Sequence, residues 1–259
     1  MFSERIDRLV SRRGWLLPLL LMAAAEIALR ISGIRSDGLA RPTEIIQALL
    51  GLAADGAILQ RTWETLAPIL LGATIGGAIG LFLGTWLGLS PAAARLAGLS
   101  VELFRPIPPV AIIPLTLLIY GFGVRMEAAI IAFTCFWPML LLTRDAVASV
   151  EPRLIEMARA LGLPRRKQIV KIVLPAAAAR IFTAVRVTLG IALIVAVTTE
   201  IAANPFGLGY AMISAEMSLR PDVMYAFLLW LAALGWALNA GLLMLEERLF
   251  GAKSGRSMR

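Results

Sequence analysis

Long apolar segments are the feature of this sequence that most constrains its fold. Runs of mainly apolar residues, near the ~17–25 needed to cross the hydrocarbon core of a bilayer, recur along the chain. Only 16% of its residues are charged, where a soluble domain has about a quarter. The sequence therefore predicts an all-α integral membrane protein with about six transmembrane helices, near residues 15–29, 65–89, 109–122, 127–142, 182–202 and 223–245.

The amino-terminal region allows two interpretations. A basic lead followed by an apolar run with small residues is typical of a cleaved signal peptide, and also of a retained helix. The retained helix is favoured because the apolar run resumes after Glu26. Residues 41–60, opened by Pro42, have helical apolar spacing and are predicted to form an amphipathic helix on the membrane surface.

The net charge of +8 is explained by membrane orientation rather than by a nucleic-acid partner. With the amino terminus inside, 18 Lys and Arg residues fall on the cytoplasmic side and six fall outside, while Arg186 lies within the fifth span. Basic residues collect in cytoplasmic loops of membrane proteins. Both termini and the loop 143–181 are therefore predicted to lie in the cytoplasm, and no nucleic-acid role is expected.

The sequence offers little for catalysis. It has no histidine, and its single cysteine, Cys135, lies in an apolar segment. This composition excludes His-dependent acid–base and nucleophilic catalysis, an internal disulfide and most zinc sites. No GxxxxGK[ST] phosphate loop is present, so any ATP must be bound by another chain. We expect no catalytic residue, no metal site and no cofactor.

The cytoplasmic loop contains a patterned stretch, EMARALGLPRRKQIVKIVLP, which covers residues 156–175. Residues at helical spacing before its glycine predict a short helix with one apolar face, made by Leu154, Ile155, Ala158 and Leu161. Gly162 is predicted to end this helix in a left-handed conformation, and Pro164 prevents its continuation. A second short helix is predicted to bury Ile169, Ile172 and Val173 until Pro175 turns the chain into the fifth span.

This stretch resembles the EAA loop of permease subunits in ATP-binding-cassette importers. The matching pattern is Glu156-x-Ala158, three residues, Gly162, nine residues, then Ile172-x-Leu174-Pro175. The resemblance extends over about residues 39–249. Two further stretches are similar to the nitrate/sulfonate/taurine-type branch, namely FRPIPPVAIIPL at 104–115 with YGFG at 120–123, and EIAAN at 200–204 with GLGY at 207–210.

The resemblance implies a type I importer permease fold, with the coupling loop between the fourth and fifth helices, in a bacterial inner membrane. It also implies two cytoplasmic ATP-binding subunits, a second permease copy or close paralogue, and a periplasmic solute-binding protein. The implied domains are a cytoplasmic lead, first transmembrane helix and periplasmic amphipathic helix at 1–64, a core permease domain at 65–249 and a basic cytoplasmic tail at 250–259. The ATPase-coupling residues carried over are Glu156, Ala158, Arg159, Gly162, Leu163, Leu174 and Pro175.

Three other features bear on helix packing and on the path of the solute through the membrane. Small residues at every fourth position of the second span predict close helix packing, through Gly72, Gly76, Gly80, Gly84 and Gly88. Irregular backbone at membrane depth is tolerated where it lines a cavity, and intramembrane charges are costly and often functional. The candidates for the translocation path are accordingly Pro108, Pro109, Pro114, Arg186 and Glu200, although Glu200 is expected to reach water at the outer end of its span. The tryptophans, including Trp137, are interpreted as interface anchors or packing residues.

The sequence thus predicts a transport subunit that imports a small solute, a sulfonate-, nitrate- or taurine-like oxyanion. The same importer class also carries bicarbonate, aromatic acids or vitamin precursors, so the cargo stays open. A membrane-embedded enzyme is disfavoured because histidine and clustered intramembrane carboxylates are missing from the pattern. A secondary transporter is disfavoured because no internal hydropathy repeat is evident and the cytoplasmic loop would be unexplained.

Overall fold

The computed structural model describes residues 16–32 and 38–251, a part of the chain that is helical and contains no β-strand. Its α-helices are, in order, α1 (Leu16–Ser32), α2 (Pro42–Ala54), α3 (Ala57–Leu89), α4 (Pro91–Phe104), α5 (Ile113–Tyr120), α6 (Val124–Ala148), α7 (Pro152–Ala160), α8 (Arg165–Gln168), α9 (Leu174–Ala202), α10 (Gly207–Met217) and α11 (Pro221–Glu246). A 3₁₀ turn at Pro109–Ile112 precedes α5, and π-helical turns lie at Ile169–Val173 and Glu247–Gly251.

Four helices among the described residues are long and apolar enough to cross a membrane: Ala57–Leu89, Val124–Ala148, Arg165–Ala202 and Pro221–Phe250. A fifth crossing is provided if α4 and the helix Pro109–Tyr120, which meet at a bend of 78°, act as one broken span. The first predicted span corresponds to α1, whose 17 residues are near the minimum length for crossing. Four of the predicted spans therefore correspond to long apolar helices among the described residues, and the predicted third span corresponds to the second arm of the bent pair.

The observed helix bounds differ from the predicted ones in two places. The predicted amphipathic helix 41–60 ends at Ala54, because Gly56 has a φ of +73°, and α3 then begins at Ala57. The prediction that Pro175 turns the chain is wrong, since Arg165–Ala202 is one long helix. Pro175 has no N–H to donate, and the wide π-helical turn before it supplies an alternative pattern, in which the Leu174 N–H bonds Ile169 O.

The described residues fall into two compact units, one from residues 1–60 and 211–231 and the other from residues 61–210 and 232–259. In the first unit, the carboxylate of Glu26 joins α1 to α2. It accepts hydrogen bonds from the Thr43 N–H at 3.1 Å and from the Thr43 hydroxyl at 3.0 Å. The Tyr225 hydroxyl donates to the carbonyl oxygen of Gly38 at 3.1 Å, which ties α11 to the segment before α2.

The second unit is built on α3, α6 and α9, whose buried apolar residues meet in one cluster. Its members are Ile69, Ile131, Cys135, Ala192 and Ala196. The glycines at every fourth position of α3 lie directly on α6. A Cβ added to any of them would lie 2.0–2.8 Å from a carbonyl oxygen of α6, contributed in order by Ala128, Ala132, Phe136, Leu140 and Arg144.

The order of these contacts fixes the relative direction of the two helices. Contacts advance by four residues on α3 and by four on α6 in the same sense, so α3 and α6 run parallel. The chain must then return across the same distance within residues 90–123. This segment contains α4, the 3₁₀ turn and α5. The bent pair of helices therefore lies within this return, and its irregular residues 105–108 lie between its two arms.

Candidate functional site

The helix predicted to bind a partner, α7, is short and has a well-defined end. Pro152 occupies its first turn, where a missing N–H costs nothing. After the helix, Gly162 has a φ of +66°, its N–H bonds Arg159 O at 2.9 Å, and the N–H of Leu163 bonds Ala158 O at 3.1 Å. These two bonds form a Schellman motif, in which the left-handed residue favours glycine. The turn is tied further by the Gln168 side-chain amide, which donates to Leu163 O at 2.7 Å.

The side chains of α7 are not exposed and buried as the single predicted apolar face would require. Ala158 is fully buried, and Leu161 is 73% exposed, so these two residues do not share a face. The helix α7 lies against the π-helical turn of its own chain, so one side of this short helix is covered and the other is exposed. The outer surface instead combines an apolar stripe, whose most exposed members are Met157 and Leu161, with the charged side chains of Glu156 and Arg159.

A buried cluster joins α7 to the membrane helices. It consists of the end of α6 and the start of α9, with Ile155 of α7 packed against it, and its members are Ala146, Val147, Val150, Val173 and Ala177. Of the other carried-over residues, Leu174 is half-buried and Pro175 is exposed. A displacement of α7 would therefore move Ile155 and, through this cluster, the ends of α6 and α9.

The prolines predicted for the translocation path lie at the broken span. Pro108 precedes the 3₁₀ turn with an extended backbone, Pro109 begins that turn, and Pro114 occupies the first turn of α5. Pro109 lines a cavity of about 500 Å³. The other two prolines are exposed and do not line it.

Arg186, one of the candidates predicted for the translocation path, forms an ion pair with a carboxylate. Its guanidinium lies 3.2 Å from the carboxylate of Glu246 at the end of α11, and both side chains are about a third exposed or less. The pair joins α9 to α11 within the second unit.

Glu200 does not reach water as the sequence suggested, because only 1% of it is exposed. Its carboxylate accepts the N–H of Gly209 at 2.7 Å, and a Cβ on Gly207 would lie 2.1 Å from it. The start of α10 is held a second time by α3, where the Thr65 hydroxyl accepts the N–H of Leu208 at 2.9 Å. The glycines of the GLGY stretch thus let the α10 backbone approach a buried carboxylate.

A second buried carboxylate, Glu127, lies close to the first and was not singled out from the sequence. It is fully buried in the first turn of α6, and its Oε2 accepts the Asn204 amide N–H at 2.7 Å. The side-chain amide oxygen of Asn204, Oδ1, in turn accepts a hydrogen bond from the N–H of Gly123 at 3.0 Å. Asn204 therefore joins the start of α6 to the segment after α9.

A signal for this pairing was present in the sequence. Glu127 begins the fourth predicted span and Glu200 ends the fifth, so two consecutive spans of opposite direction bring them to the same membrane depth. Asn204 follows Glu200 by one helical turn. The polar side chains of the EIAAN stretch and the backbone N–H groups of the GLGY stretch, which carried part of the resemblance, thus meet in buried hydrogen bonds at one end of α6, α9 and α10.

Comparison with known sequences identifies what the chain resembles over most of its length. The sequence profile of the family described as binding-protein-dependent transport system inner membrane component matches residues 76–250. The taurine transport system permease protein of Escherichia coli is 31% identical over 80% of this chain and 78% of its own. The Bacillus subtilis protein named as an aliphatic sulfonates transport permease is 27% identical over 92% of this chain and 86% of its own.

Solved structures give the same fold. A chain of an inward-facing methionine ABC transporter superposes with a TM-score of 0.65 at 23% identity, over 72% of this chain and 93% of that one. A chain of an amino acid ABC transporter superposes with a TM-score of 0.60 at 18% identity, over 78% of this chain and 96% of that one. At these identities the likeness shows the architecture, that of a type I importer permease.

Proposed function

The chain belongs to the family of binding-protein-dependent transport system inner membrane components, and from that premise we propose that it imports a small sulfonate- or taurine-like oxyanion. It is a multi-pass inner-membrane permease subunit and not an enzyme, since ATP is hydrolysed on a separate chain in such systems. The names of the two relatives support the oxyanion class, because both concern sulfonates and the match spans most of each chain.

The site proposed to receive force from the ATPase is α7 with its glycine-ended turn. The observation that carries this proposal is a short helix with an exposed apolar and charged surface, joined by a buried cluster to α6 and α9. Glu156 and Arg159 are proposed to set the register of docking through charge, with Met157 and Leu161 supplying apolar contact. Ala158 is buried and lets α7 pack closely against the rest of the chain, whereas Gly162 ends the helix.

Orientation and assembly follow as parts of the same proposal. The excess of basic residues in the loop that contains α7 supports a cytoplasmic position for that loop and for both termini. We propose an assembly of two such permeases, two ATP-binding subunits and one periplasmic solute-binding protein, with residues 65–249 as the core permease domain. In this proposal residues 1–64 form an amino-terminal cytoplasmic lead, the first transmembrane helix and a periplasmic amphipathic helix, and residues 250–259 form a basic cytoplasmic tail.

Replacing Gly162 by valine is expected to uncouple ATP hydrolysis from uptake. A residue other than glycine pays about 1–2 kcal/mol in the left-handed conformation, and more where it is β-branched, so the Schellman turn loosens. Uptake into proteoliposomes that contain the whole transporter should fall about tenfold, while the variant still inserts and co-purifies with the ATPase. Gly162→Asn is the matched control, because asparagine tolerates this conformation and should retain most uptake.

The outcome that would remove α7 from the coupling role is normal solute-stimulated ATP hydrolysis and normal uptake in Gly162→Val. A variant that no longer co-purified with the ATPase would contradict the expected uncoupling, because the turn would then be needed to assemble the complex.

The cargo is tested by transport in the reconstituted complex. With its binding protein present, the transporter should accumulate taurine or ethanesulfonate and should hydrolyse ATP faster when either is supplied. Bicarbonate, benzoate-like acids and thiamine-precursor pyrimidines serve as the competing cargoes. Uptake of one of these, with no response to either sulfonate, would contradict the sulfonate proposal and leave the importer class intact.

A further inference from the structure

The turn between α10 and α11 contains a strained residue. Among the residues that the structure describes, Leu219 is the one other than glycine that has a positive φ, at +52°. A bulky side chain is rare in this left-handed conformation, because its Cβ crowds the following carbonyl oxygen. Two backbone hydrogen bonds close the turn, from the N–H of Leu219 to Glu216 O at 3.0 Å and from the N–H of Arg220 to Ala215 O at 2.9 Å. The turn is therefore a Schellman motif with leucine in the position that favours glycine.

The end of α7 contains the same motif with the favoured residue. Gly162 occupies the left-handed position there, and the two equivalent hydrogen bonds are present. Glycine adopts this conformation without strain, so leucine at position 219 makes the folded chain less stable than glycine would. Backbone strain of this kind persists mainly where it serves a function.

Burial of the leucine within the chain does not offset the strain. Leu219 is 63% exposed, and the neighbouring Met217 is 80% exposed. In many Schellman motifs the residue after the left-handed one makes an apolar contact with the preceding helix, but here that residue is the charged Arg220. The turn therefore holds two apolar side chains where a molecule outside this chain can contact them.

Charged residues surround these two side chains, which indicates water rather than lipid. Glu216 and Arg220 are exposed, and Asp222 follows in the first turn of α11. The side chains of Glu216 and Arg220 make no hydrogen bond or ion pair with any residue that the structure describes. Charges are costly within a bilayer, whereas apolar contacts within a charged rim are typical of interfaces between proteins.

The order of elements along the chain gives the side of the membrane. One helix long enough to cross, Arg165–Ala202, separates α7 from this turn, and α10 has 11 residues, too few to cross again. With α7 in the cytoplasm, as proposed, the turn lies on the periplasmic side. All of its residues belong to the first compact unit.

We propose that residues 216–222, the periplasmic turn, are a docking surface for the periplasmic solute-binding protein. Leu219 and Met217 supply the apolar contact, and Glu216 and Arg220 supply charges at its rim. This inference rests on the proposed function, which includes such a partner, and it assigns the surface of this chain that the partner binds. The strained backbone then has a use, because it fixes an apolar side chain in place before the partner arrives and so lowers the entropy cost of docking.

Leu219→Gly separates docking from folding. Glycine removes the side chain and relieves the strain, so the thermal unfolding temperature should not fall. Solute-stimulated ATP hydrolysis by the permease–ATPase complex in phospholipid nanodiscs is titrated with its solute-binding protein. The half-saturating concentration should rise about five- to tenfold, as expected for loss of a central interface residue, while the maximal rate stays that of the parent.

A polar substitution provides a second variant with a matched control. Leu219→Asn keeps a residue that tolerates the left-handed conformation, so it should also fold normally and raise the half-saturating concentration. Leu50→Asn is the control, because Leu50 lies on α2 in the same unit and is 64% exposed. The control should leave the half-saturating concentration unchanged. A purely structural role of Leu219 predicts no change in that concentration for either variant.

A labelling measurement identifies what covers the periplasmic turn. Met217→Cys adds an accessible thiol, since the native Cys135 is fully buried. A membrane-impermeant maleimide should modify this thiol rapidly in nanodiscs. Addition of the solute-binding protein should slow the modification severalfold, because a docked residue is shielded from water.

Four results would overturn the proposal. Slow modification in nanodiscs but rapid modification in detergent would assign the turn to lipid. Slow modification in both, without the binding protein, would assign it to a second permease copy. An unchanged rate in the presence of a binding protein that stimulates ATP hydrolysis would exclude the turn from docking, and so would an unchanged half-saturating concentration in both Leu219 variants. If those variants did not assemble, the labelling of Met217→Cys would decide.

The proposed function and this inference can fail separately. Sulfonate uptake that depends on the binding protein, without protection of the thiol, refutes only the docking surface. Protection of the thiol in a complex that transports bicarbonate and no sulfonate refutes only the sulfonate cargo.

Discussion

Gly76→Ala is expected to destabilise the folded chain by about 1–3 kcal/mol or more, although alanine is the better helix former by about 1 kcal/mol. A Cβ at this position would lie 2.0 Å from the carbonyl oxygen of Ala132 and 2.7 Å from its carbonyl carbon. Both atoms are backbone, so no side-chain rotation can relieve the overlap. The helices α3 and α6 would have to separate, and the contacts of the neighbouring glycines would loosen with them.

The adjacent glycine provides a matched control. A Cβ on Gly77 would meet nothing within 4 Å, so Gly77→Ala gains helix propensity without overlap and should be neutral or slightly stabilising. Thermal unfolding of both variants in the same detergent, followed by tryptophan fluorescence or by loss of monodisperse protein, measures the difference. Equal unfolding temperatures would mean that α3 and α6 do not meet at this register.

The glycine stripe shows how far a periodic pattern can be interpreted. Residues at every fourth position of a helix must share one face, so the pattern alone predicted a close helix contact. It could not predict which helix is contacted or in which direction that helix runs. Those facts depend on residues about 56 positions further along the chain, as the contact of Gly76 with Ala132 illustrates.

Helix ends were predicted less well than membrane segments, for a physical reason. Apolar residues mark the part of a helix that lies in lipid, while hydrogen bonding carries the helix on into polar surroundings. α3 therefore begins at Ala57 rather than at the predicted residue 65, and the helix that leads into the fifth span begins at Arg165 rather than at 182. The helix α4 falls between the predicted second and third spans and was not predicted, because its apolar residues do not form a continuous run.

For the segment proposed to couple to the ATPase, residues 152–175, the sequence predicted the local structure of the first helix and its end but not the contacts of that helix. Gly162 and Pro164 act on their own backbone, so their effect on α7 could be anticipated from sequence. Burial of Ala158 depends instead on how α7 packs against residues elsewhere in the chain, which no local pattern reveals. For the same reason Glu127 was overlooked, since its partner Asn204 is 77 residues away and no local pattern joins them.

Asn204→Ala is expected to destabilise the protein by about 2–5 kcal/mol, because one side chain serves two buried partners. Its loss leaves the Oε2 of Glu127 without the donor at 2.7 Å and the N–H of Gly123 without the acceptor at 3.0 Å. The Glu127 carboxyl group, which lies beside that of Glu200, would then be buried without the hydrogen bond that Asn204 donates. The start of α6 should detach from the segment that follows α9.

Asn239→Ala is the matched control, since Asn239 lies exposed on α11 and makes no side-chain hydrogen bond to any described residue. It should unfold at the temperature of the parent chain, while Asn204→Ala unfolds well below it. Hydrogen exchange gives the more local measurement, because the amide of Gly123 should lose protection in Asn204→Ala and keep it in the control. If the Gly123 amide stayed protected, the bond to Asn204 would not be what holds the two segments together, and the stability difference would have to arise elsewhere in the buried cluster.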